Sequence, residues 1–234
     1  MCISVKNDRN QGVEGFTLVE LMIAMAVGGI VMAAVMTSFL SQHRSYLAQD
    51  DVVEMQQNVR VAMDMLTRDI RSAGYDPTET GLGIIPTSDS QTLTFERYDD
   101  VGNVVETIRY TLYSAFGGTV SAIGRARGIG GGALINQPLA ENISQLEFQY
   151  LDKDGNVTAT LADIRSIQVS ILAVASRSDQ NFTNTMVYCP ASNPLNPLTG
   201  LCTNAAPATI WGPYNDNFRR RLLITTVQCR NLGL

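Results

Sequence analysis

Residues 16–40 form an apolar run of 25 with one charge, Glu20, and from Ser41 onward apolar and polar positions recur at helical spacing. At ~1.5 Å per helical residue the first stretch spans about 37 Å, enough to cross a ~30 Å hydrocarbon core. Residues 41–73 contain no Pro and no Gly. Within them Val52, Met55, Val59, Met63, Leu66 and Ile70 follow at steps of three or four, which puts all six on one face of a helix. Asp50, Glu54, Gln57, Arg60, Asp64 and Arg68 fall largely elsewhere. Gly74 followed by Pro77 is a stop signal. The pattern predicts one helix over about 17–73, its first half suited to lipid and its second to the surface of a soluble domain. A coiled-coil seam would use the same stripe, but three heptads are barely enough for one. Gly28 and Gly29 weaken the helix by about 1 kcal/mol each relative to Ala. They admit local unwinding, close packing through Ala24/Gly28 and Gly29/Ala33, or no special role.

Beyond residue 80 the pattern changes to short β-type runs broken by turn residues. Candidate strands are 92–97, 104–113, 119–123, 146–151, 165–173, 186–188 and 222–229. Asp99-Asp100-Val101-Gly102-Asn103 and Asp152-Lys153-Asp154-Gly155-Asn156 read as hairpin turns. Residues 117–132 and 189–217 read as Gly-rich or Pro/Asn-rich loops. A long helix followed by strands predicts an α+β fold, the helix lying on an antiparallel sheet.

Glu20 changes the meaning of the apolar run. A carboxylate near the start of a membrane helix costs several kcal/mol unless a partner answers it. A secretory signal peptide would be shorter, with a small-residue cleavage site at its far end, and none lies around residues 37–45. An ordinary single-pass anchor would require neither Gly15 nor Glu20.

Gly15-Phe16-Thr17-Leu18-Val19-Glu20 before such a helix resembles the type IV prepilin signature. The resemblance implies cleavage between Gly15 and Phe16 by prepilin peptidase, N-methylation of Phe16, and Glu20 facing the new amine of its own or a neighbouring chain. An ammonium and a carboxylate, each expensive in lipid, neutralise one another there. The implied organisation is a leader over 1–15, a transmembrane and filament-core helix over 16–40, an amphipathic helix over 41–73 and a β-rich soluble domain over 74–234. The leader sets Lys6 and Arg9 against Asp8 and Glu14, so its positive-inside bias is weak. Later patches, at 66–75, 142–150 and 226–231, are similar to PilW-type minor pilins and, less closely, to J-type pseudopilins of type II secretion. The resemblance implies a minor subunit that primes assembly or sits at a pilus tip. Its partners would be other minor pilins and the major pilin. It would be held in the inner membrane by one span, its C-terminal domain in the periplasm, until assembled into a pilus or pseudopilus.

Other chemistry is sparse. The whole chain has 17 Lys and Arg against 22 Asp and Glu, a formal net charge of −5, which does not suit a general nucleic-acid binder. The lone His43 cannot build a triad or a two-His metal site within the chain, and Gly128-Ile129-Gly130-Gly131-Gly132 lacks dinucleotide-loop spacing. No catalytic residue, metal or cofactor is expected. Asp152, Asp154 and Asn156 have the spacing that opens a calcium loop, but Gly155 comes one place early, and a turn is the preferred reading. Cys189 and Cys202 enclose 12 residues containing Pro190, Pro194, Pro197 and Gly200; they are the favoured disulfide, with either pairing to Cys229 left open. Arg219, Arg220 and Arg221 are the one basic run. They read as a solvated strand entry, or as an interaction patch for a neighbouring subunit, or for DNA or a surface at a pilus tip, with Tyr214 and Phe218 near enough to stack on bases.

Overall fold

The computed structural model describes residues 15–87, 89–115, 120–204 and 210–232; the expected leader, apart from Gly15, lies outside these residues. Helix α1 spans Leu18–Ser72 and continues through Gly28 and Gly29 without the unwinding that two glycines permit. Two units divide the chain, one up to Leu47 and one from Ala48 onward. In the first, the helix exposes its apolar side chains all round, as a segment meant for lipid does. Among the described residues it is the one helix long and apolar enough to cross a membrane.

The second unit buries the predicted stripe. Met55, Val59, Met63, Leu66 and Ile70 join a single core with strand residues, and Val52 packs at its margin. All six polar residues assigned elsewhere are exposed. The helix ends as the sequence indicates, with Gly74 at φ 74°, a left-handed stop that glycine takes without strain. A side chain there would also collide with Leu232, 2.4 Å from an added Cβ.

The strands form two antiparallel sheets. The first is β1(Ile84–Ile85), β2(Thr92–Asp99), β3(Val104–Ala115), β4(Val120–Ile129) and β5(Gln137–Glu141), paired in chain order. The second is β6(Ile143–Leu151), β7(Ser166–Val174) and β8(Arg220–Gln228), again in chain order. Both contribute to the core around α1, through Leu93, Phe95, Ile108 and Ile123 on one side and Leu146, Phe148, Ile167, Val169 and Ile171 on the other. A bond from Phe148 N–H to Ser90 C=O (2.8 Å) ties the two together.

Three details differ from expectation. Most of the stretch read as a loop over 117–132 is strand β4; residues 116–119 lie outside the description. Its glycines make room: a Cβ on Gly124 would meet the Tyr113 ring at 2.6 Å, and one on Gly128 the Gly132 carbonyl at 2.8 Å. The turn at 152–156 does not join β6 to β7. It folds back so that Thr158 N–H reaches Tyr150 C=O (3.0 Å), and the chain passes through a 3-10 turn, Leu161–Asp163, before β7. Within 186–188, only Tyr188 pairs, through an isolated bridge to Trp211.

Candidate functional site

The N-terminal signature builds a compact polar knot at the mouth of the apolar helix. Thr17 precedes the first helical residue, and its hydroxyl accepts the Glu20 N–H (3.2 Å). Glu20 reaches back, accepting from the Thr17 N–H (3.4 Å) and, more weakly, its hydroxyl (3.5 Å). Thr17 C=O takes the first helical bond, from Leu21 N–H at 3.1 Å. This is a reciprocal capping box, in which two otherwise orphaned donors of the first turn are satisfied at once. Its Thr-x-x-Glu spacing is present in the sequence, though the prepilin resemblance gave roles to Gly15, Phe16 and Glu20 and none to Thr17. The capping places the carboxylate at the positive end of the helix, which favours it electrostatically. Phe16, one residue before the box, is 87% exposed. An amine created at Phe16 would therefore begin one residue from the knot that holds Glu20.

Elsewhere the structure distributes the candidates differently. Cys189 and Cys202 are joined as a disulfide, and Cys229 is a buried free thiol, which removes both alternatives involving it. Burial pushes the Cys229 thiol up to about 12, far from reactive at neutral pH.

The basic run does not act as one patch. Arg219 grips Asp179 (2.7 Å) and lies over the Phe182 ring, while Arg220 holds Asp216 through two bonds of 2.6 and 2.7 Å and covers the Tyr214 ring. Arg221 is exposed and has no ion pair among the described residues. Two of the three cations, and one of the two aromatics on offer for stacking, are thus engaged within the chain: Tyr214 lies under Arg220.

The Asp152 carboxylate turns onto its own loop, taking N–H bonds from Asp154 and Asn156 at 2.8 Å each. The backbone bond from Asn156 leads the causes that hold its pKa below the ordinary range. His43 stacks on Phe39 along the exposed helix. Among the described residues no group of three His, Cys, Asp or Glu side chains is placed to hold a metal ion.

An unexpected feature lies where α1 ends on the first sheet. Asp69, buried on the helix, accepts from the Tyr110 hydroxyl and Arg125 Nε at 2.7 Å each, and Arg97 lies 3.5 Å away. Arg97 also pairs with buried Glu106 (3.0 Å), which Arg127 meets from the next strand. Burial first, then the Asp69 charge, pushes the Tyr110 phenol far above the ordinary tyrosine range, so it stays a donor. This network pins the helix to three strands. A smaller one joins buried Asp51 to Arg177 (3.4 Å) and Ser176 (3.4 Å) at the end of β7. Sequence reading missed both, because each acid's partners lie far away along the chain.

Comparison with known proteins agrees with the geometry at both ends of the argument. Residues 11–36 match the prokaryotic N-terminal methylation motif. The chain is 30% identical over 162 residues to the pilin-like protein PilA3 of Thermus thermophilus, covering 61% of this chain and 69% of that one. A solved type IV-like pilin from Thermus thermophilus shares the fold at a TM-score of 0.56 with 16% identity, over 76% of this chain and 98% of the other.

Proposed function

Since the chain belongs to the type IV pilin-like proteins, we propose that it is a minor pilin, cut by prepilin peptidase between Gly15 and Phe16 and methylated on Phe16. The observation that carries this reading is Glu20, the single charge in a membrane-length helix, five residues after Gly15 and already capping the first turn. Cleavage after Gly15 supplies the missing counter-ion, an ammonium at Phe16. Before assembly Glu20 is satisfied by Thr17; in a filament it pairs with the Phe16 amine of its own or an adjacent subunit and so sets the register of the helices. The inner membrane holds the subunit by one span, with the domain from Ala48 onward in the periplasm, until it joins a priming or tip complex with other pilins.

The family is one of structural subunits, and the work assigned here is done by packing and charge pairing rather than by catalysis. Of the other readings, a pseudopilin of the J type keeps the same chemistry at the N-terminus and differs only in the machine served. A DNA-binding tip is disfavoured by the engagement of Arg219 and Arg220 with Asp179 and Asp216.

The test is Glu20→Ala in cells that assemble filaments. Membrane insertion and cleavage are expected to persist, with the subunit absent from sheared filaments. Normal incorporation of Glu20→Ala, or an uncut amino terminus on wild-type protein by intact mass, would count against the proposal.

A further inference from the structure

Three Asn-x-Ser/Thr triplets occur in the chain, Asn142-Ile143-Ser144, Asn156-Val157-Thr158 and Asn181-Phe182-Thr183, none with proline at the middle. In a domain outside the cytoplasm such a triplet is an acceptor for N-linked glycan. The spacing is short enough to arise without function, so the fold decides which triplet can be used. An enzyme that reads it has to surround both the Asn amide and the hydroxyl two residues on. Both groups must therefore stand in solvent, free of internal partners.

Two triplets fail. Ile143 is fully buried in the core, and Ser144 lies within strand β6. Asn142 itself is only half-exposed, and its C=O accepts the Val174 N–H at 2.9 Å. At the second triplet, Asn156 Nδ2 turns back on Asp152 (3.4 Å), and the Thr158 hydroxyl accepts the Thr160 N–H (3.1 Å). Val157 bridges Leu151, so the whole triplet is folded against the end of β6.

The third triplet is presented differently. Phe182 N–H donates to Asp179 C=O (2.9 Å), which closes a turn with Gln180 and Asn181 at its tip. The Asp179 carboxylate accepts the Asn181 N–H (3.0 Å) and is itself held by Arg219. Around the turn, Asp179 N–H reaches Asn217 C=O (2.8 Å) and Asn217 Nδ2 reaches Phe182 C=O (2.6 Å). Arg219 covers the Phe182 ring, and one residue after the triplet Asn184 is completely buried. The middle residue is thus tied to the domain while the two residues beside it are exposed. Neither the Asn181 amide nor the Thr183 hydroxyl has a hydrogen-bond partner among the described residues.

We infer that Asn181 is the attachment site of an N-linked glycan, transferred by a membrane-bound oligosaccharyltransferase from a lipid-linked glycosyl pyrophosphate. In the step the sugar C1–O bond to pyrophosphate breaks and a C1–N bond to Asn181 Nδ2 forms. The amide nitrogen gives up one proton, the lipid pyrophosphate leaves, and nothing is oxidised or reduced. The turn suits transfer to the folded domain, because its anchors lie at Asp179, Phe182 and Asn184 and leave the acceptor face open. The inference rests on the pilin reading in one respect: the domain from Ala48 onward lies outside the cytoplasm, where the donor is presented.

The experiment takes the full-length chain from the membrane of the cells that make it and reads its intact mass. Wild-type protein is expected to carry one glycan increment, placed on Asn181 by fragmentation of the tryptic segment 178–219. Asn181→Gln and Thr183→Ala each lose the increment completely, while Thr183→Ser retains the hydroxyl and keeps it. Asn156→Gln keeps it as well. The Asn181 and Thr183 side chains hold nothing in the fold, and mass under non-reducing conditions verifies in each variant that Cys189–Cys202 still forms. Wild-type chain at the bare polypeptide mass, an increment that survives Asn181→Gln, or one that survives Thr183→Ala overturns the inference. The same spectra read the leader separately. A chain cut after Gly15 without glycan overturns the glycan alone; an uncut chain modified at Asn181 overturns the processing alone.

Discussion

Glu106→Gln tests whether the charge network at the end of α1 holds the helix to its sheet. Glu106 is 1% exposed on β3. Arg97 Nε and Nη2 lie 3.1 and 3.0 Å from its Oε2, and Arg127 meets its Oε1. Gln keeps the shape but removes the charge, leaving Arg97 with Asp69 (3.5 Å) and Arg127 with Asp99 (3.7 Å) as remaining counter-ions. Breaking a buried ion pair costs about 3–5 kcal/mol. Here Arg97 and Arg127 keep 25% and 45% exposure, so water takes up part of their charge. The lower end, about 3 kcal/mol, is therefore the expectation. For a domain of this size that corresponds to a fall in Tm of about 6–12 °C. The assay is thermal unfolding of the full chain in detergent, followed by near-ultraviolet circular dichroism, which reports tertiary packing and not the membrane helix. Asp179→Asn is the control: it breaks the more exposed Arg219 pair, for which less than about 1 kcal/mol is expected. Raising salt to about 1 M, where the screening length is near 3 Å, should shrink the control's effect and leave that of Glu106 in place. If the two variants melt within about 2 °C of one another, the network adds nothing beyond surface pairing, and the assignment of a buried lock is wrong.

Two further outcomes follow from groups with displaced proton affinity. Asp76 is worked upward by partial desolvation, but the backbone N–H of Leu82, the Thr78 hydroxyl and the Gly81 N–H outweigh this and hold it at about 2. Its folded-state pKa is depressed, so its stabilising contribution is complete above the ordinary value of 3.8 and is lost as pH falls toward about 2. Asp76→Asn should therefore flatten the acid limb of the stability curve in that window and leave the neutral region's slope unchanged; an unaltered acid limb in denaturant titrations would show that the 76–82 turn does not depend on the charge. Cys229, with its thiol raised to about 12 by burial, should resist iodoacetamide at pH 8 in the folded Cys2→Ser chain and take one label in urea; rapid labelling of the folded protein would mean that the C-terminal strand opens.

How far the fold was legible depended on the distance over which each residue's partner is found. The α1 stripe was legible because its period is internal to the helix: Met55, Val59, Met63, Leu66 and Ile70 declare one face by spacing alone. The turn at residues 99–103 was equally local, and it joins β2 to β3 with Asn103 in the left-handed region at φ 52°. Strand β4 was hidden because Gly124 and Gly128 look like loop residues until Tyr113 and the Gly132 carbonyl are seen to occupy the space a side chain would need. Strand β5 was hidden by its five-residue length and by Pro138, which a short edge strand tolerates. The buried acids were the hardest case. Asp51 and Asp69 flank the apolar stripe and look like the margin of a solvated face, yet their partners are Arg177, Arg125 and Tyr110, brought from other elements.

Glu20 escaped that difficulty because lipid leaves an acid few partners. In water a carboxylate needs no specific answer, so its position says little about structure, as the exposed Asp50, Glu54 and Asp64 illustrate. In a helix built to lie in hydrocarbon, every charge has to be met by something named, either the Thr17 cap or an amine at Phe16. The medium removes the alternatives that make ordinary surface charges ambiguous. That is why one acid among 25 residues draws a definite proposal from sequence alone while a six-charge network in the soluble domain draws none.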